Sequence, residues 1–219
     1  MARNRKPSGR KRPTPNSLKR RSGFRTPKRT FVVFCEGKRT EPEYISALKQ
    51  EPAVREIAAV DIRLNKETAG SVPMTLVQAA SDYRQRANEE EGEVDEIWCI
   101  FDVEWPRNHP DLPKAIALAS KANVNLAISN PCFELWLALH FQDQTAWLSN
   151  DDARRLRRDH DASRGKGLDG ALYMPLRRAA VDRARSLEVI HRDNHTSFPG
   201  DNPSSGMYRF IDAVESKSK

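Results

Sequence analysis

The sequence predicts an α/β protein with a mostly parallel sheet flanked by helices, a disordered basic N-terminal tail and a helical C-terminal part. Short apolar runs typical of buried strands alternate with helical patterns four times, which is the order of parallel βαβ units. From Asp151 onward the pattern is helical and polar. Residues 1–29 contain 12 Lys or Arg and no Asp or Glu. We therefore expect a tail over residues 1–29 and a single domain with a C-terminal helical extension over residues 30–219.

The first predicted βα unit begins with a strand at Thr30–Cys35. This apolar run closes on Glu36 and Gly37, as a buried strand does where it reaches a loop. A helix follows, because Thr40 and Glu43 have the spacing of a capping box.

The later elements repeat this alternation. Val60–Leu64 alternates between apolar and polar residues and is the predicted second strand. Ser71 can cap a helix that runs to about Ala87, and the acidic segment Asn88–Glu93 is a predicted loop. The remaining predicted elements are a strand at Ile97–Phe101, an irregular loop at Trp105–Pro110, a helix at Leu112–Ala122, a strand at Val124–Ile128, a buried apolar segment at Leu135–Phe141, and loops at Gly165–Gly170 and His191–Asn202.

The positive charge of the chain originates in the tail. The whole chain has 37 Lys or Arg and 30 Asp or Glu, so residues 30–219 have 25 and 30 and carry a net charge of about −5. A tail of this composition cannot bury enough apolar surface to fold alone. It is either a solvated extension or an arm that binds nucleic acid, and its charge of +12 favours the arm.

The composition also limits the cellular setting. No apolar run approaches the ~18–20 residues of a membrane span, and the N-terminus lacks the apolar stretch of a signal peptide. Cys35, Cys99 and Cys132 lie inside apolar runs without CxxC spacing, so we expect buried thiols. These features predict a cytoplasmic protein with no membrane association, and they leave an oligomer open.

Carboxylates follow two of the predicted strands. Glu36 follows the first strand, and Asp102 and Glu104 follow the third. Parallel α/β sheets place chemistry just past the carboxyl ends of their strands, and alternate residues of an extended segment point the same way. We therefore expect one acidic cluster, which repels itself unless a hard cation such as Mg²⁺ neutralises it. This pattern suggests metal-assisted chemistry on phosphates. The alternative is a set of solvated residues at strand ends.

The order of these motifs resembles a known fold. A strand, Glu-Gly and a helix, followed by a strand and Asp-x-Asp/Glu, resemble the Toprim domain shared by topoisomerases, primases and OLD-type nucleases. The segments Phe34–Tyr44, Ser129–Leu137 and Asn202–Tyr208 are similar to those of the RloB family, and the resemblance spans roughly Thr30 to Val214. RloB-like proteins are associated with bacterial restriction and abortive-infection loci, often beside an ATPase. The resemblance implies a Toprim-like sheet and a nuclease that uses Mg²⁺ or Mn²⁺.

The resemblance also implies roles for individual carboxylates. The glutamate after strand one of Toprim enzymes is the general acid/base, which would be Glu36. The Asp-x-Asp pair holds Mg²⁺, which would be Asp102 and Glu104, with Glu in place of the second Asp. A further metal-binding carboxylate is usual, and Glu41 and Glu134 are the candidates. Each of these two could instead stabilise the N-terminus of its own helix.

Basic and aromatic residues give further candidates. The candidate contacts to nucleic acid are Lys38, Arg39, Arg154, Arg155, Arg157 and Arg158, although such runs are more often a solvated face. Lys166, between two glycines, could reach a scissile phosphate and act in catalysis, but it lacks P-loop spacing. Trp98, Trp136 and Trp147 are expected in or near the core rather than as platforms for stacked bases.

The sequence therefore predicts a divalent-metal-dependent nuclease of bacterial antiphage defence, with nucleic acid as its partner and an ATPase encoded nearby as a candidate partner. The alternative is a non-catalytic subunit, either nucleic-acid-binding or regulatory, of an ATPase-containing defence complex. The altered Asp-x-Glu motif keeps this alternative open.

Overall fold

The fold is taken from a computed structural model, which describes residues 28–64, 72–90, 94–105, 109–161 and 167–216. Its sheet has five strands in the order β2-β1-β3-β4-β5, and helices flank it. The predicted α/β class with a mostly parallel sheet is confirmed. The predicted tail lies outside the described residues, apart from Lys28 and Arg29.

The bounds of the elements are as follows. The strands are β1 (Arg29–Cys35), β2 (Ala58–Leu64), β3 (Glu96–Asp102), β4 (Asn125–Asn130) and β5 (Ser204–Ser205). The helices are α1 (Thr40–Leu48), α2 (Pro52–Ile57), α3 (Pro73–Glu90), α4 (Leu112–Lys121), α5 (Phe133–Ala138), α6 (Asn150–His160), α7 (Gly170–Tyr173), α8 (Arg177–Asp193) and α9 (Met207–Glu215).

Strands β1 to β4 are parallel, and β5 is antiparallel to β4 at one edge. In the register, Cys35 lies opposite Ile100, and Asp102 lies opposite Ser129. The carboxyl ends of β1, β3 and β4 therefore meet along one edge of the sheet. This edge carries the candidate site.

The two faces of the sheet bury separate apolar clusters. In β1, Phe31 and Val33 point to the face covered by α1, α5, α8 and α9, whereas Val32 and Phe34 point to the face covered by α3 and α4. This alternation is the period of two expected of a strand covered on both faces. Trp136 is fully buried on the first face, and the three cysteines are buried as predicted.

Several local predictions are wrong. The capping box at Thr40 is absent, because Arg39 is the N-cap residue and Thr40 is already helical. Glu43 instead accepts a hydrogen bond of 2.8 Å from the backbone N–H of Leu168, which belongs to a distant segment. Helix α3 continues into the predicted loop as far as Glu90.

Differences also occur at the C-terminal side. Helix α5 ends at Ala138, although its apolar pattern continues to Phe141, and α8 continues to Asp193. Strand β5 was not predicted. Trp147 was expected to be buried, but 58% of it is exposed. The predicted cap Ser71 lies outside the described residues. Within the described ranges, no helix combines the length and the apolar character needed to cross a membrane.

Candidate active site

Glu36 and Asp102 lie together because β1 and β3 are neighbours. The backbone N–H of Glu36 donates to the carbonyl of Ile100 at 3.0 Å, so the pairing of the two strands continues into the turn. The backbone N–H of Asp102 in turn donates to Glu36 Oε2 at 3.1 Å. The predicted convergence of these two carboxylates at one sheet edge is present.

Glu41 comes from the first turn of α1 and is 7% exposed. Its carboxylate folds back over the β1–α1 turn, where a Cβ atom on Gly37 would overlap it. A Cβ atom at this position would therefore displace the Glu41 carboxylate. Burial raises the pKa of Glu41, and so does the charge of Glu134, whereas backbone hydrogen bonds and the charge of Arg157 lower it.

Glu104 reaches the cluster by a different route from the predicted one. Strand β3 ends at Asp102, and Glu104 has φ 60°, a left-handed conformation that is uncommon outside glycine. The backbone N–H of Glu104 donates to the carbonyl of Pro131 at 2.8 Å. The argument from alternating residues of a strand is therefore wrong, and a tight turn beside β4 places this carboxylate instead.

Glu134 adds a further carboxylate from the first turn of α5. Its charge raises the pKa of both Glu41 and Asp102, so it lies on the same side of the sheet edge. Its Oε1 is 3.8 Å from the Arg157 Nη1 atom. The structure therefore brings together all five carboxylates selected from the sequence, while their roles stay predictions.

The cluster is electrostatically strained. The pKa of Glu36 is raised from 4.5 to about 7, mainly by burial and also by the charges of Glu104 and Glu41, while the hydrogen bond from Asp102 lowers it. The pKa of Asp102 is raised well above its usual value by burial and by Glu41, Glu134 and Glu36. Within the described residues, Asp102 Oδ1 is buried without a hydrogen-bond partner. A cluster of carboxylates that repel one another is stabilised by binding a cation or a proton.

His109 is a site residue that the sequence analysis missed. Its Nε2 atom is 3.6 Å from Glu36 Oε1 and 3.8 Å from Glu104 Oε2, and its side chain is 8% exposed. In the described part of the chain, neither ring nitrogen has a hydrogen-bond partner. The available signal was a histidine in the loop just after the Asp-x-Glu motif, which we treated only as irregular.

The carboxylates of the cluster are donors of the kind that hard divalent cations prefer. Mg²⁺ and Mn²⁺ prefer oxygen ligands, and five carboxylates converge here, with the Asp102 Oδ1 atom lacking a partner. Among the residues that the structure describes, however, no three His, Cys, Asp or Glu side chains are arranged to hold an ion as they stand. Metal binding would therefore require some of these side chains to rotate.

The predicted basic contacts fall into two groups. Exposed on the surface are Lys38, Arg39, Arg154, Arg155 and Arg158. Arg154 and Arg155 form ion pairs with the aspartates three residues before them, at 3.3 and 2.6 Å. Lys166, the second predicted catalytic residue, lies outside the described residues.

Arg157 differs from its neighbours on α6 because its side chain is buried. Its Nη2 atom lies 3.3 Å from Asp161 Oδ2 and donates to the carbonyl of Gly167 at 2.8 Å. Tyr173 also donates to Asp161, at 2.7 Å. These contacts hold the Arg157 guanidinium in place, and its Nη1 atom lies 3.8 Å from Glu134 in the acidic cluster.

One cavity adjoins the site, and a second cavity adjoins the first. One, of about 610 Å³, is lined by His109, by residues of α4 and by Phe198 and Pro199. The other, of about 530 Å³, shares Ile116 and Phe198 with it and extends towards Arg192 on α8. His109 therefore separates the carboxylates from a largely apolar space that the sequence did not indicate.

Comparison with known proteins bears on this arrangement. No curated protein and no solved structure matches the chain significantly. A family model described as RloB-like protein matches residues 31–214. This match runs from β1 to α9, so it includes the five carboxylates, His109 and the network around Arg157. The chain belongs to the family of RloB-like proteins.

Proposed function

We propose that this protein is a divalent-metal-dependent nuclease that hydrolyses phosphodiester bonds. The observation that carries the proposal is the convergence of Glu36 and Asp102, joined by a 3.1 Å hydrogen bond, with three further carboxylates at one sheet edge. Buried carboxylates that repel one another are costly for the fold, and nucleases use such clusters to bind metal. The raised pKa values of Glu36, Glu41 and Asp102 support this proposal, because strongly shifted pKa values are concentrated at functional sites.

In this proposal, Asp102 and Glu104 would hold Mg²⁺ or Mn²⁺, with Glu41 or Glu134 as a further ligand. When bound, the metal would neutralise the phosphate and polarise its oxygen atoms. Glu36 would act as the general acid/base. It would accept a proton from the attacking water as the new bond to phosphorus forms, and the leaving oxygen would take up a proton from solvent water as its bond to phosphorus breaks.

His109 would hold the Glu36 side chain in position. The distance of 3.6 Å between His109 Nε2 and Glu36 Oε1 shortens to a hydrogen bond with a small rotation of either side chain. We include His109 in the site for this reason.

The biological setting is proposed from the family resemblance. We propose that the nuclease acts in bacterial antiphage defence, in the cytoplasm, with an ATPase encoded nearby as a candidate partner. The basic tail would add non-specific attraction to the nucleic acid, since the remainder of the chain is net negative. Lys38, Arg39 and the exposed arginines of α6 would supply local contacts to phosphate.

The test is a cleavage assay on purified full-length chain with labelled DNA and RNA, with Mg²⁺, Mn²⁺ or a chelator. Glu36→Gln and Asp102→Ala should each reduce the rate at least about 100-fold. Glu56→Gln, which changes an exposed acid on α2, serves as the matched control and should retain the rate. Equal cleavage by Asp102→Ala and the unmodified chain would identify the activity as contamination and defeat the proposal.

A second candidate function is a non-catalytic nucleic-acid-binding or regulatory subunit of an ATPase-containing defence complex. Two observations favour it: Glu104 replaces the second Asp in a left-handed turn, and the described side chains do not already enclose an ion. It predicts no cleavage with either metal, even after addition of the ATPase, together with normal nucleic-acid binding by Asp102→Ala. Metal-dependent cleavage that Asp102→Ala abolishes would exclude it.

A further inference from the structure

Trp147 is an exposed aromatic side chain on a fixed backbone. Of its surface, 58% is exposed, more than that of any other large hydrophobic residue among the described ranges. The next residue, Leu148, is buried and paired through both backbone groups: its N–H donates to Asn202 Oδ1 at 3.1 Å, and its carbonyl accepts from Asn202 Nδ2 at 2.8 Å. The backbone under the indole is therefore held in place.

The indole is also supported from one side. The ring of Trp105 meets that of Trp147 at a centroid distance of 6.1 Å and an angle of 67°, an edge-to-face contact. Trp105 is itself fixed, because its indole N–H donates to Asn130 Oδ1 at 2.7 Å and its backbone N–H donates to Asn150 Oδ1 at 3.0 Å. Two aromatic rings therefore form a rigid pair whose outer member is open to solvent.

This aromatic pair is linked to the acidic cluster through the chain. Trp105 follows Glu104 in the chain, and Asn130, which fixes its indole, is the last residue of β4. On the other side, Trp147 leads through the capped N-terminus of α6 to the exposed Arg154 and Arg155. The chain thus leads from the carboxylate of Glu104 to Trp105, whose ring contacts Trp147, and from Trp147 to the exposed arginines at the start of α6.

We infer that Trp147 is a stacking platform for a nucleobase of a single-stranded nucleic acid whose backbone enters the acidic cluster. The inference rests on the proposed function, since it names the substrate class of the same site. Any base can stack on an indole face, whereas a paired base cannot reach it without unstacking. A pre-positioned ring loses little conformational freedom on binding, which favours affinity. The nearby arginines would contact the backbone phosphates in either DNA or RNA.

The test measures binding with a chelator present, so that cleavage plays no part. Labelled single strands of about eight nucleotides, one DNA and one RNA, are titrated with full-length chain in roughly 0.2 M salt and compared with an abasic strand of equal charge. The abasic strand cancels the electrostatic contribution of the tail. The ratio of the two affinities therefore reports contacts to the bases, and the Trp147 variants show which part of it depends on this ring.

The unmodified chain should prefer the base-containing strand at least about fivefold, Trp147→Ala should abolish that preference, and Trp147→Phe should retain part of it. Val189→Ala, which shortens an exposed apolar residue on α8, is the control and should keep the full preference. A preference confined to RNA or to DNA supports the inference and identifies the substrate.

An unchanged preference in Trp147→Ala would overturn the inference, and so would an unmodified chain without any preference. A dimer that Trp147→Ala dissociates in light scattering, without a base preference, would assign the ring to a second copy and also overturn it. Base preference without cleavage would keep this inference and remove only the nuclease.

Discussion

At the scale of single residues, Glu36 is subject to opposed influences. The hydrogen bond from Asp102 N–H favours the charged carboxylate, whereas burial and the charges of Glu104 and Glu41 favour the neutral acid. The neutral form gains more, so the pKa rises from 4.5 to about 7. Between pH 4.5 and about pH 7, Glu36 is therefore protonated in the folded chain without metal and ionised in the unfolded chain.

The first prediction is the pH dependence of stability. Because the folded pKa is the higher one, the stabilising contribution is complete below pH 4.5 and is lost as pH rises through about 7. We expect the free energy of unfolding of chelator-treated protein to fall between pH 5 and pH 8, with at most about 3 kcal/mol from Glu36. Urea denaturation across this range measures it.

Glu36→Gln should flatten this dependence, since the amide can still accept the hydrogen bond from Asp102 and does not ionise. Glu56→Gln is the control and should leave the pH dependence unchanged. The raised pKa values of Glu41 and Asp102 act in the same direction, so part of the slope should remain. A stability that rises between pH 5 and pH 8 would contradict the assignment.

The second prediction distinguishes Arg157 from the other arginines of α6. Arg157→Met leaves the buried carboxylate of Asp161 without its cation and should reduce the free energy of unfolding by about 3–5 kcal/mol. Arg154→Met removes an exposed ion pair and should cost less than about 0.5 kcal/mol. Urea denaturation measures both. If Arg157→Met keeps its stability and loses nucleic-acid affinity, Arg157 contacts phosphate instead.

At the scale of elements, the β1–α1 turn determines where one carboxylate lies. Gly37 leaves the space that the Glu41 carboxylate occupies, and Glu41 is held there by its position in the first turn of α1. The absence of a Cβ atom, rather than a special backbone angle, is what this position needs. The turn therefore allows a carboxylate from α1 to join the carboxylates that follow the strands.

The third prediction follows from this contact. Gly37→Ala should force the Glu41 carboxylate aside, reduce the free energy of unfolding by about 1–3 kcal/mol and weaken Mn²⁺ binding. Thermal melts and calorimetric titration measure the two effects. The control is the same change made in a Glu41→Ala background, where no carboxylate remains to be displaced and the cost should largely vanish. An equal cost in both backgrounds would show that the turn itself is strained.

At the scale of the whole molecule, the concentrated positive charge and the carboxylates of the candidate site lie on separate parts of the chain. Ten of the twelve basic residues of the predicted tail precede Lys28, and the carboxylates of the site all lie beyond it. Lys28 donates to the carbonyl of Arg55, and Arg29 pairs with Glu96, so the described part begins with contacts to the body.

The fourth prediction concerns removal of residues 1–27. The shortened chain should unfold in one transition with a midpoint within about 2 °C of the full chain, because the apolar clusters lie in the remaining residues. Its nucleic-acid affinity should fall, and so should the slope of log K against log salt. Anisotropy titrations at several salt concentrations and thermal melts measure these. Equal salt slopes would show that the tail does not contact phosphate.

The sequence by itself predicted the alternation of four strands with helices and the meeting of Glu36 with Asp102 at one edge of the sheet. Both depend on local patterns: apolar runs of strand length, helical periods between them, and carboxylates immediately after two strands. A right-handed series of parallel units then places those strand ends along one edge. The strand order that makes β1 and β3 neighbours came only from the tertiary structure.

Only the tertiary structure decided the surroundings of that pair. His109, Arg157 and Glu134 reach the cluster from three separate segments. Glu104 was selected for the wrong reason, since its left-handed turn depends on the carbonyl of Pro131 and not on an extended strand. Such contacts join residues far apart in sequence, and local residue patterns do not encode them.

The tryptophans show the same division. Trp136 and Trp147 were both expected in or near the core, yet one is fully buried and the other is 58% exposed. A side chain's hydrophobicity fixes what its burial would contribute, whereas its exposure depends on which distant elements pack over it. The sequence therefore determined which residues could form a core, and the packing of helices against the sheet decided which of them remained on the surface.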